Sequence, residues 1–374
     1  MDHHVETTSV DAGFIEDKTS GGMAAPIYLA TTFERDADGS YPLGFEYSRD
    51  ANPNRTQLER AMAQLEGGES AAAFASGSAV AMTLFQALKP GDHVVAPTDA
   101  YFGIRQMLDK VFVPWGLSVT YADTSAPDLV EAALKDNTAM IFVETPSNPK
   151  LQVTDIRLMA SLARRNNALL VCDNTVATPV LQQPFHHGAD IVIHSTTKYI
   201  GGHHDSMGGV AICRQNDDYW NRVRFPQKIC GAIPSPFNAW LTLWGVSSLV
   251  YRMRAHSANG LAVARFLERH NRIEKVLYPG LESHAGFDTA ANQMSSFGGL
   301  MSVLVRGDAG SAMSVAARVE LFRRATSFGG AHSLIEHRAS VEGPNSTTPP
   351  NLLRLAVGLE NPQDLIADLE QALA

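Results

Sequence analysis

The fold is decided by residues 169–198, LLVCDNTVATPVLQQPFHHGADIVIHSTTK. Two short apolar runs, Leu169–Cys172 and Ile191–Ile193, lie on either side of a connection long enough for a crossover, and polar residues follow each run directly. This alternation predicts two neighbouring parallel strands. Asp173 and Lys198 then lie just past the carboxyl ends of these strands, where ligands bind in open parallel sheets.

The same alternation extends along the chain on both sides of this stretch. Further short apolar runs, with helix-period segments between several of them, occupy residues 71–75, 93–96, 118–121, 140–143 and 209–212. This pattern predicts an α/β fold with a mostly parallel central sheet and helices on both faces. Later segments predict a helix over 239–269, strands at 273–278, 300–305 and 352–357, and helices near 311–320 and after Asn361.

These patterns divide the chain into three expected parts. They are an N-terminal arm (1–50), which contains little apolar material of its own, an α/β domain (51–236) and a smaller α+β domain (237–374). The 374 residues are 45% hydrophobic and 18% charged, which excludes a disordered chain.

Charge and cysteine content narrow the class of protein. A net charge of −9 argues against a nucleic-acid ligand, because phosphate neutralisation requires a basic face. The three cysteines form no C-x-x-C pair, so neither a disulfide framework nor a zinc site is expected. The sequence contains no signal-peptide pattern and no apolar run approaching a membrane span. We therefore expect a cytoplasmic, globular enzyme with no membrane partner.

Five strand ends supply chemically useful groups. Ser76-Gly77-Ser78 offers backbone N–H groups to an anion, Tyr101 an aromatic ring and Asn148 an amide, while Asp173 brings a carboxylate and Lys198 an amine. A carboxylate facing a heterocyclic nitrogen, with a lysine able to form a Schiff base, is what pyridoxal phosphate requires. We expect Ser195 and Thr197 to donate to its phosphate, and the buried Arg354 to require an anion.

Other readings of these motifs are weaker. His203-His204-Asp205 and His186-His187 suggest a metal site, but adjacent residues of an extended chain point to opposite faces, so no metal is expected. A nicotinamide oxidoreductase would need a G-x-G-x-x-G turn after its first strand, which is missing. A catalytically silent cofactor-binding relative is the third alternative, and the presence of both Asp173 and Lys198 argues against it.

Four motifs together resemble the Cys/Met-metabolism pyridoxal-phosphate enzymes, which include cystathionine γ-synthases, γ-lyases and β-lyases. The motifs are Tyr47-Ser48-Arg49, Glu144-Thr145-Pro146-Ser147-Asn148-Pro149, Asp173-Asn174-Thr175 and Ser195-Thr196-Thr197-Lys198-Tyr199. The resemblance runs from about Gly22 to the final helix. It implies the fold-type I architecture of pyridoxal-phosphate transferases and an amino-acid substrate.

The resemblance also implies roles for individual residues. Lys198 would be the Schiff-base lysine, Asp173 the partner of the pyridine nitrogen, and Tyr101 the stacking and catalytic ring. The remaining cofactor-binding residues would be Gly77, Ser78, Thr175, Ser195 and Thr197, joined by Tyr47 and Arg49 of a neighbouring subunit. Arg354, Ser327 and Asn148 would receive the substrate carboxylate. The family forms homotetramers, as dimers of dimers with shared active sites.

The implied activity is γ-replacement or γ-elimination on a homoserine- or cysteine-derived amino acid. The N-terminal residues His4-Val5-Glu6-Thr7 and Ala25-Pro26-Ile27-Tyr28 look most like bacterial cystathionine γ-synthases and acyl-homoserine sulfhydrylases. The resemblance therefore favours a cystathionine γ-synthase-like enzyme, which uses an O-acyl-homoserine and a thiol; a γ-lyase or β-lyase is the alternative. Gly103 stands where methionine γ-lyases carry cysteine, which weighs against that activity. Thr326 matches the marker of neither the γ-enzymes nor the β-lyases, and His332 stands where glutamate is common. The exact substrate and acyl group therefore stay open.

Overall fold

The computed structural model describes residues 3–12, 14, 17, 19–344 and 346–374. Its main sheet contains the seven strands β1 (Ser70–Phe74), β2 (His93–Pro97), β3 (Ser118–Ala122), β4 (Thr138–Glu144), β5 (Leu169–Asp173), β6 (Ile191–His194) and β7 (Gly209–Cys213). Their order is β1-β7-β6-β5-β4-β2-β3, and β7 runs antiparallel to both of its neighbours. The other strand pairs are parallel, so the predicted mostly parallel sheet is confirmed.

Helices cover both faces of this sheet. They are α1 (Val5–Asp11), α2 (Pro53–Glu66), α3 (Gly77–Gln86), α4 (Phe102–Met107), α5 (Val113–Trp115), α6 (Pro127–Ala133), α7 (Ile156–Arg165), α8 (Thr178–Leu181), α9 (Pro184–His187) and α10 (Asp218–Ile229), with a π-helical turn, Leu108–Phe112, between α4 and α5. On β4, Ile141 and Val143 pack into one apolar cluster, whereas Met140 and Phe142 pack into another on the opposite face. Burial on both faces explains why the strands are continuous apolar runs.

The prediction of a single helix over 239–269 is wrong, because this stretch contains two helices separated by a break. They are α11 (Pro236–Val246) and α12 (Leu249–Arg269). At the break, the hydroxyls of Ser247 and Ser248 donate to the carbonyls of Trp244 and Gly245. Serine side chains that bond to the backbone in this way compete with the helical ladder. The apolar periodicity continues across the break, which hid it in the sequence.

A second sheet lies in the C-terminal part of the chain. Its strands are β8 (Ile273–Leu277), β9 (Leu300–Val305), β10 (Arg323–Arg324), β11 (Leu334–His337) and β12 (Leu352–Ala356), in the order β10-β11-β12-β9-β8. The remaining helices are α13 (Phe287–Gln293), α14 (Ala309–Arg318), α15 (Arg338–Glu342) and α16 (Pro362–Leu373). The sequence predictions omit β10, β11, α13 and α15, which are too short to show a clear period.

The closing helix begins as predicted. The side chain of Asn361 caps α16 by accepting a hydrogen bond from the backbone N–H of Gln363, and Pro362 occupies the first turn. No helix within the described ranges is both long and apolar enough to span a bilayer.

Candidate active site

One cavity of about 400 Å³ collects nearly all the site residues expected from the sequence. It lies at the carboxyl ends of β4, β5 and β6 and extends to the second sheet. Its lining includes Gly77, Ser78, Tyr101, Asn148, Asp173, Thr175, Ser195, Thr197, Lys198, Ser327 and Arg354. Tyr47 and Arg49 are the expected site residues that do not line it.

Asp173 ends β5 in register with Glu144 of β4. Its Oδ1 accepts hydrogen bonds from the backbone N–H of Thr175, at 3.0 Å, and from the Thr175 hydroxyl, at 2.5 Å. Its Oδ2 has no protein hydrogen bond within the described ranges, and the residue lines the cavity. Burial raises the pKa of the Asp173 carboxyl, while the two Thr175 bonds act in the opposite direction.

Lys198 follows β6 and points toward the second sheet. Its Nζ donates to Ser327 Oγ at 2.8 Å and lies 5.2 Å from the centre of the Phe328 ring. Burial, together with the nearby charge of Arg354, lowers the pKa of the Lys198 amine to about 8. Lysines with a pKa near the working pH can act as bases and nucleophiles, because a useful fraction is neutral.

The start of α3 forms the anion cradle expected from Ser76-Gly77-Ser78. Ser76 caps the helix by accepting from Ala79 N at 3.1 Å. A Cβ added to Gly77 would lie 2.8 Å from Ser195 Cβ, so glycine allows the helix N-terminus to approach the end of β6. The Thr197 hydroxyl exchanges hydrogen bonds with Gly208, which holds it at the same edge. Free N–H groups at a helix start favour a phosphate.

Arg354 comes from β12 of the second sheet and is buried. Its Nη2 lies 2.6 Å from Glu336 Oε2 and donates to the Ser327 carbonyl at 2.9 Å, while its Nη1 donates to Asn148 Oδ1 at 3.1 Å. The structure therefore brings together the three residues expected to receive a carboxylate. Burial lowers the pKa of Arg354 to about 10, which leaves it charged at neutral pH.

Sequence reasoning missed a second buried guanidinium in the same cavity. Arg338 of α15 is linked to Glu336 Oε2 at 3.1 Å and to Glu342 Oε1 at 2.9 Å, and both Arg338 and Glu342 line the cavity. Glu336 thus pairs with Arg338 and Arg354 through one oxygen. The sequence hints at this ion pair only through the spacing of four residues between Arg338 and Glu342, and such a spacing is more typical of an ion pair on the exposed face of a helix.

Tyr101 is positioned by Glu144, which belongs to one of the four sequence motifs but was given no role there. Glu144 Oε2 accepts from Tyr101 N at 2.7 Å, and burial raises the pKa of this carboxyl. A Cβ at Gly103 would fall 2.4 Å from Tyr101 Cε1, so the glycine makes room for the ring. The Tyr101 side chain remains 45% exposed at the cavity.

The two expected arm residues lie together, away from this cavity. Arg49 Nη1 donates to the Lys228 carbonyl at 3.1 Å, and its guanidinium lies 5.4 Å from the centre of the Tyr47 ring. Tyr47 is 44% exposed. Neither residue contributes to the cavity of its own chain.

The sequence of this chain is similar to those of known pyridoxal-phosphate enzymes. A family model described as Cys/Met metabolism PLP-dependent enzyme matches residues 6–374. The chain belongs to this family. It is 45% identical over 373 residues to the cystathionine γ-synthase of Mycobacterium tuberculosis, covering 98% of this chain and 96% of that protein. It is also 39% identical to the cystathionine β-lyase of Coxiella burnetii, covering 99% and 98%.

Solved structures show the same fold over the whole length. The chain resembles metB from Corynebacterium glutamicum, with a TM-score of 0.96, 44% identity and coverage of 99% of this chain and 98% of the other. Cystathionine γ-synthase from Xanthomonas oryzae pv. oryzae, solved with aminoacrylate and cysteine, gives a TM-score of 0.94 at 34% identity, with the same coverage. The expected fold-type I architecture is confirmed.

This chain is a pyridoxal-phosphate enzyme of sulfur amino-acid metabolism, a trans-sulfuration enzyme acting on an amino-acid substrate. The residues in the cavity fit the cofactor. Asp173 Oδ2 is free to accept from a protonated ring nitrogen, the Lys198 amine is available to its aldehyde, and the α3 N-terminus suits its phosphate.

Proposed function

We propose that this chain catalyses γ-replacement on an O-acyl-homoserine with a thiol nucleophile, the reaction of a cystathionine γ-synthase. The observation that carries the proposal is a Lys198 amine of lowered pKa, held by Ser327 in the cavity that Asp173 and Arg354 also line. The 45% identity to proteins named cystathionine γ-synthase supports the replacement reaction.

Each residue then has a distinct task. Arg354 binds the substrate α-carboxylate, with Asn148 and the Ser327 carbonyl orienting its guanidinium. The bound cofactor supplies an electron sink for the charge that develops at Cα. Lys198, as the neutral amine, removes the proton from Cα and passes it to the cofactor. The amine is then neutral again and removes a proton from Cβ, which permits loss of the γ-substituent. Tyr101, exposed at the cavity, serves as a second acid or base.

Asp173 and the residues beside α3 hold the cofactor in place. Asp173 keeps the ring nitrogen protonated, and Thr175 fixes the carboxylate through its two hydrogen bonds. Ser195 and Thr197, with the N–H groups of Gly77 and Ser78, take the phosphate.

We further propose that the active sites are shared between subunits. In this arrangement the arm, residues 1–50, carries Tyr47 and Arg49 to the phosphate of a neighbour, while 51–236 form the cofactor domain and 237–374 the C-terminal domain. The support is that both residues lie outside their own cavity. The assembly is a homotetramer, a dimer of dimers.

Complementation tests this sharing. Lys198→Ala chains and Arg49→Ala chains, each inactive alone, should regain activity when they are mixed during refolding, because one site of a mixed dimer is then intact. Sedimentation measures the oligomer. A fully active monomer would contradict the proposal.

A lyase is the second candidate, since the chain is 39% identical to proteins named cystathionine β-lyase and cystathionine γ-lyase. A substrate panel discriminates between them: O-acetyl- and O-succinyl-homoserine with cysteine or sulfide, beside cystathionine, methionine and homocysteine. We expect formation of a thioether from an O-acyl-homoserine. Release of a 2-oxo acid from cystathionine without any replacement product would favour the lyase.

The cofactor assignment of Lys198 has its own test. Purified enzyme should show visible absorption, and borohydride reduction followed by peptide mapping should locate the cofactor on Lys198. Lys198→Ala should abolish that adduct. Attachment at another lysine would overturn the assigned role.

A further inference from the structure

Arg252 is a buried cation to which the proposed reaction gives no task. It lies in the first turn of α12 and is only 7% exposed. Within the described residues its guanidinium pairs with no carboxylate, and burial alone lowers its pKa to about 10, which leaves it charged at neutral pH. A buried charge is costly unless hydrogen bonds replace those that water would make. Neutral acceptors must therefore satisfy Arg252.

These acceptors include the backbone carbonyls of the two residues that follow Lys198. Arg252 Nη1 donates to the Tyr199 carbonyl at 2.5 Å, and Nη2 donates to the Ile200 carbonyl at 3.2 Å. Within the described residues no other donor reaches either oxygen. Nη2 also donates at 2.6 Å to the carbonyl of Gly245, in the last turn of α11, where a cation is favourable. One guanidinium therefore joins the turn after Lys198 to the end of a helix.

Two glycines allow this close approach. Gly202 has a left-handed backbone, with φ of 76°, and a Cβ there would fall 2.1 Å from Arg252 Nη1. A Cβ on Gly245 would fall 2.2 Å from the Gly201 carbonyl oxygen. The N–H of Gly202 also donates to the Lys198 carbonyl at 2.8 Å. The turn therefore closes on the Lys198 backbone directly against Arg252.

The side chains above this turn hold the Lys198 amine. The ring of Tyr199 packs against the Phe328 ring, with centroids 5.7 Å apart, and the Phe328 ring lies 5.2 Å from Lys198 Nζ. Ser327 accepts from the same Nζ at 2.8 Å. Arg252 thus fixes the main chain beside Lys198, while residues 327–328 contact its amine. A displaced turn would move the amine relative to both.

The amine of Lys198 needs a fixed backbone because it acts at several atoms in the proposed reaction. It attaches to the cofactor, carries the proton of Cα to the cofactor and then removes a proton from Cβ. A flexible side chain reaches all these atoms in a productive orientation only if its own Cα stays in place. A misplacement of about 1 Å can cost about 10²-fold in rate.

We propose that Arg252 is a positioning residue for Lys198: by binding the carbonyls of Tyr199 and Ile200, its guanidinium holds the Lys198 backbone where the amine can serve every step. This inference rests on the proposed role of Lys198. Arg252 lies outside the lining of the active-site cavity, so it acts through the turn and not on the substrate. Its loss should impair the chemical steps more than substrate binding.

The test compares Arg252→Met, Arg252→Lys and a matched control in the holoenzyme. Methionine retains a long apolar side chain but loses the charge and all donors, whereas lysine keeps the charge and reaches fewer carbonyls. Arg214→Met is the control, because Arg214 also donates to two backbone carbonyls, those of Phe185 and Ala189. Neither of these two residues lines the active-site cavity.

We expect kcat to fall about 10²-fold in Arg252→Met, the effect of a misplacement of about 1 Å. In Arg252→Lys it should fall about tenfold, the size of one lost charge-assisted hydrogen bond. KM should change little, because the lost contacts serve the transition state and not the bound substrate. Arg214→Met should leave both constants unchanged. Equal kcat values for Arg252→Met and Arg214→Met, or a raised KM at unchanged kcat, would overturn the inference.

The cofactor-free enzyme provides a readout that does not depend on turnover. Hydrogen–deuterium exchange of the peptide 196–202 should be about tenfold faster in Arg252→Lys than in Arg214→Met, because the turn loses a hydrogen bond. The rate of recombination with pyridoxal phosphate, followed by visible absorption, should fall in the same variant. Faster exchange with unchanged recombination and unchanged kcat would assign Arg252 a purely structural role. If Arg252→Met does not fold, Arg252→Lys alone decides by these criteria.

Borohydride reduction and peptide mapping separate this inference from the proposed function. If the cofactor is found on a lysine other than Lys198, the proposed role of Lys198 fails and the inference falls with it. If the cofactor is on Lys198 in every variant and both Arg252 variants turn over as fast as Arg214→Met, the inference alone fails.

Discussion

The carboxylate of Glu336 is the most informative group to remove, because it is buried between two guanidinium groups. Its Oε2 lies 2.6 Å from Arg354 Nη2 and 3.1 Å from Arg338 Nη1, and the three side chains are only 3–6% exposed. In Glu336→Gln the shape is retained but the charge is lost. We expect the free energy of unfolding to fall by about 3 kcal/mol, the low end of the range for breaking a buried ion pair.

We expect the low end of this free-energy range because both guanidinium groups keep other acceptors in Glu336→Gln. Arg354 keeps Asn148 Oδ1 and the Ser327 carbonyl as acceptors, and Arg338 keeps Glu342. Glu336 also raises the pKa of Lys198, so its loss should lower that pKa further and move the acid limb of the pH–rate profile to lower pH. KM should rise more than kcat falls, because Arg354 loses part of its orientation.

Chemical denaturation and steady-state kinetics across pH measure these effects. Glu282→Gln removes an exposed carboxylate and serves as the matched control. If Glu336→Gln were no less stable than Glu282→Gln, with an unchanged pH profile, the ion-pair reasoning would be refuted. A loss of stability without any shift in the profile would assign Glu336 a purely structural role.

Three further predictions concern the cofactor. The cofactor-free enzyme should recombine with pyridoxal phosphate faster as pH rises through about 8, because burial lowers the pKa of Lys198 to that value and only the neutral amine reacts. Stopped-flow absorbance would measure the rate of recombination. A rate that is constant between pH 6 and 9 would contradict this prediction. Asp173→Asn, which keeps the Thr175 contacts, should lower kcat by roughly 10²- to 10³-fold while visible absorption shows that the cofactor is retained. Gly77→Ala should weaken cofactor binding by about tenfold, because the new Cβ would lie 2.8 Å from Ser195 Cβ, and overpacking costs about 1–3 kcal/mol. Equilibrium dialysis measures it, with Gly310→Ala, where an added Cβ would meet no atom closer than 3.4 Å, as the control for glycine replacement; equal affinities for the two variants would show that the cradle tolerates a side chain.

The pattern of apolar runs was enough to predict the main sheet and the residues at its carboxyl edge. Strands buried on both faces must be short apolar runs, so β1 to β7 are visible as such. The residues that follow β1 to β6 lie at one edge, because these six strands run in the same direction and only β7 is reversed. Asp173 and Lys198 were located in this way, without knowledge of any contact.

The side chains that surround Asp173 and Lys198 could not be predicted from the sequence, because they come from distant elements that packing brings together. Arg338 and Glu342 lie about 140 residues after Lys198, on a five-residue helix with no visible period, and they reach the cavity because the second sheet packs beside the first. The ring of His204 fits only because residue 330 is glycine, since a Cβ there would fall 2.0 Å from His204 Nε2. Contacts of this kind depend on how elements distant in sequence pack together, and the local periodicity of the sequence does not encode that packing. The sequence therefore predicted the residues at the carboxyl edge of the sheet, whereas the charged groups around them were set by packing.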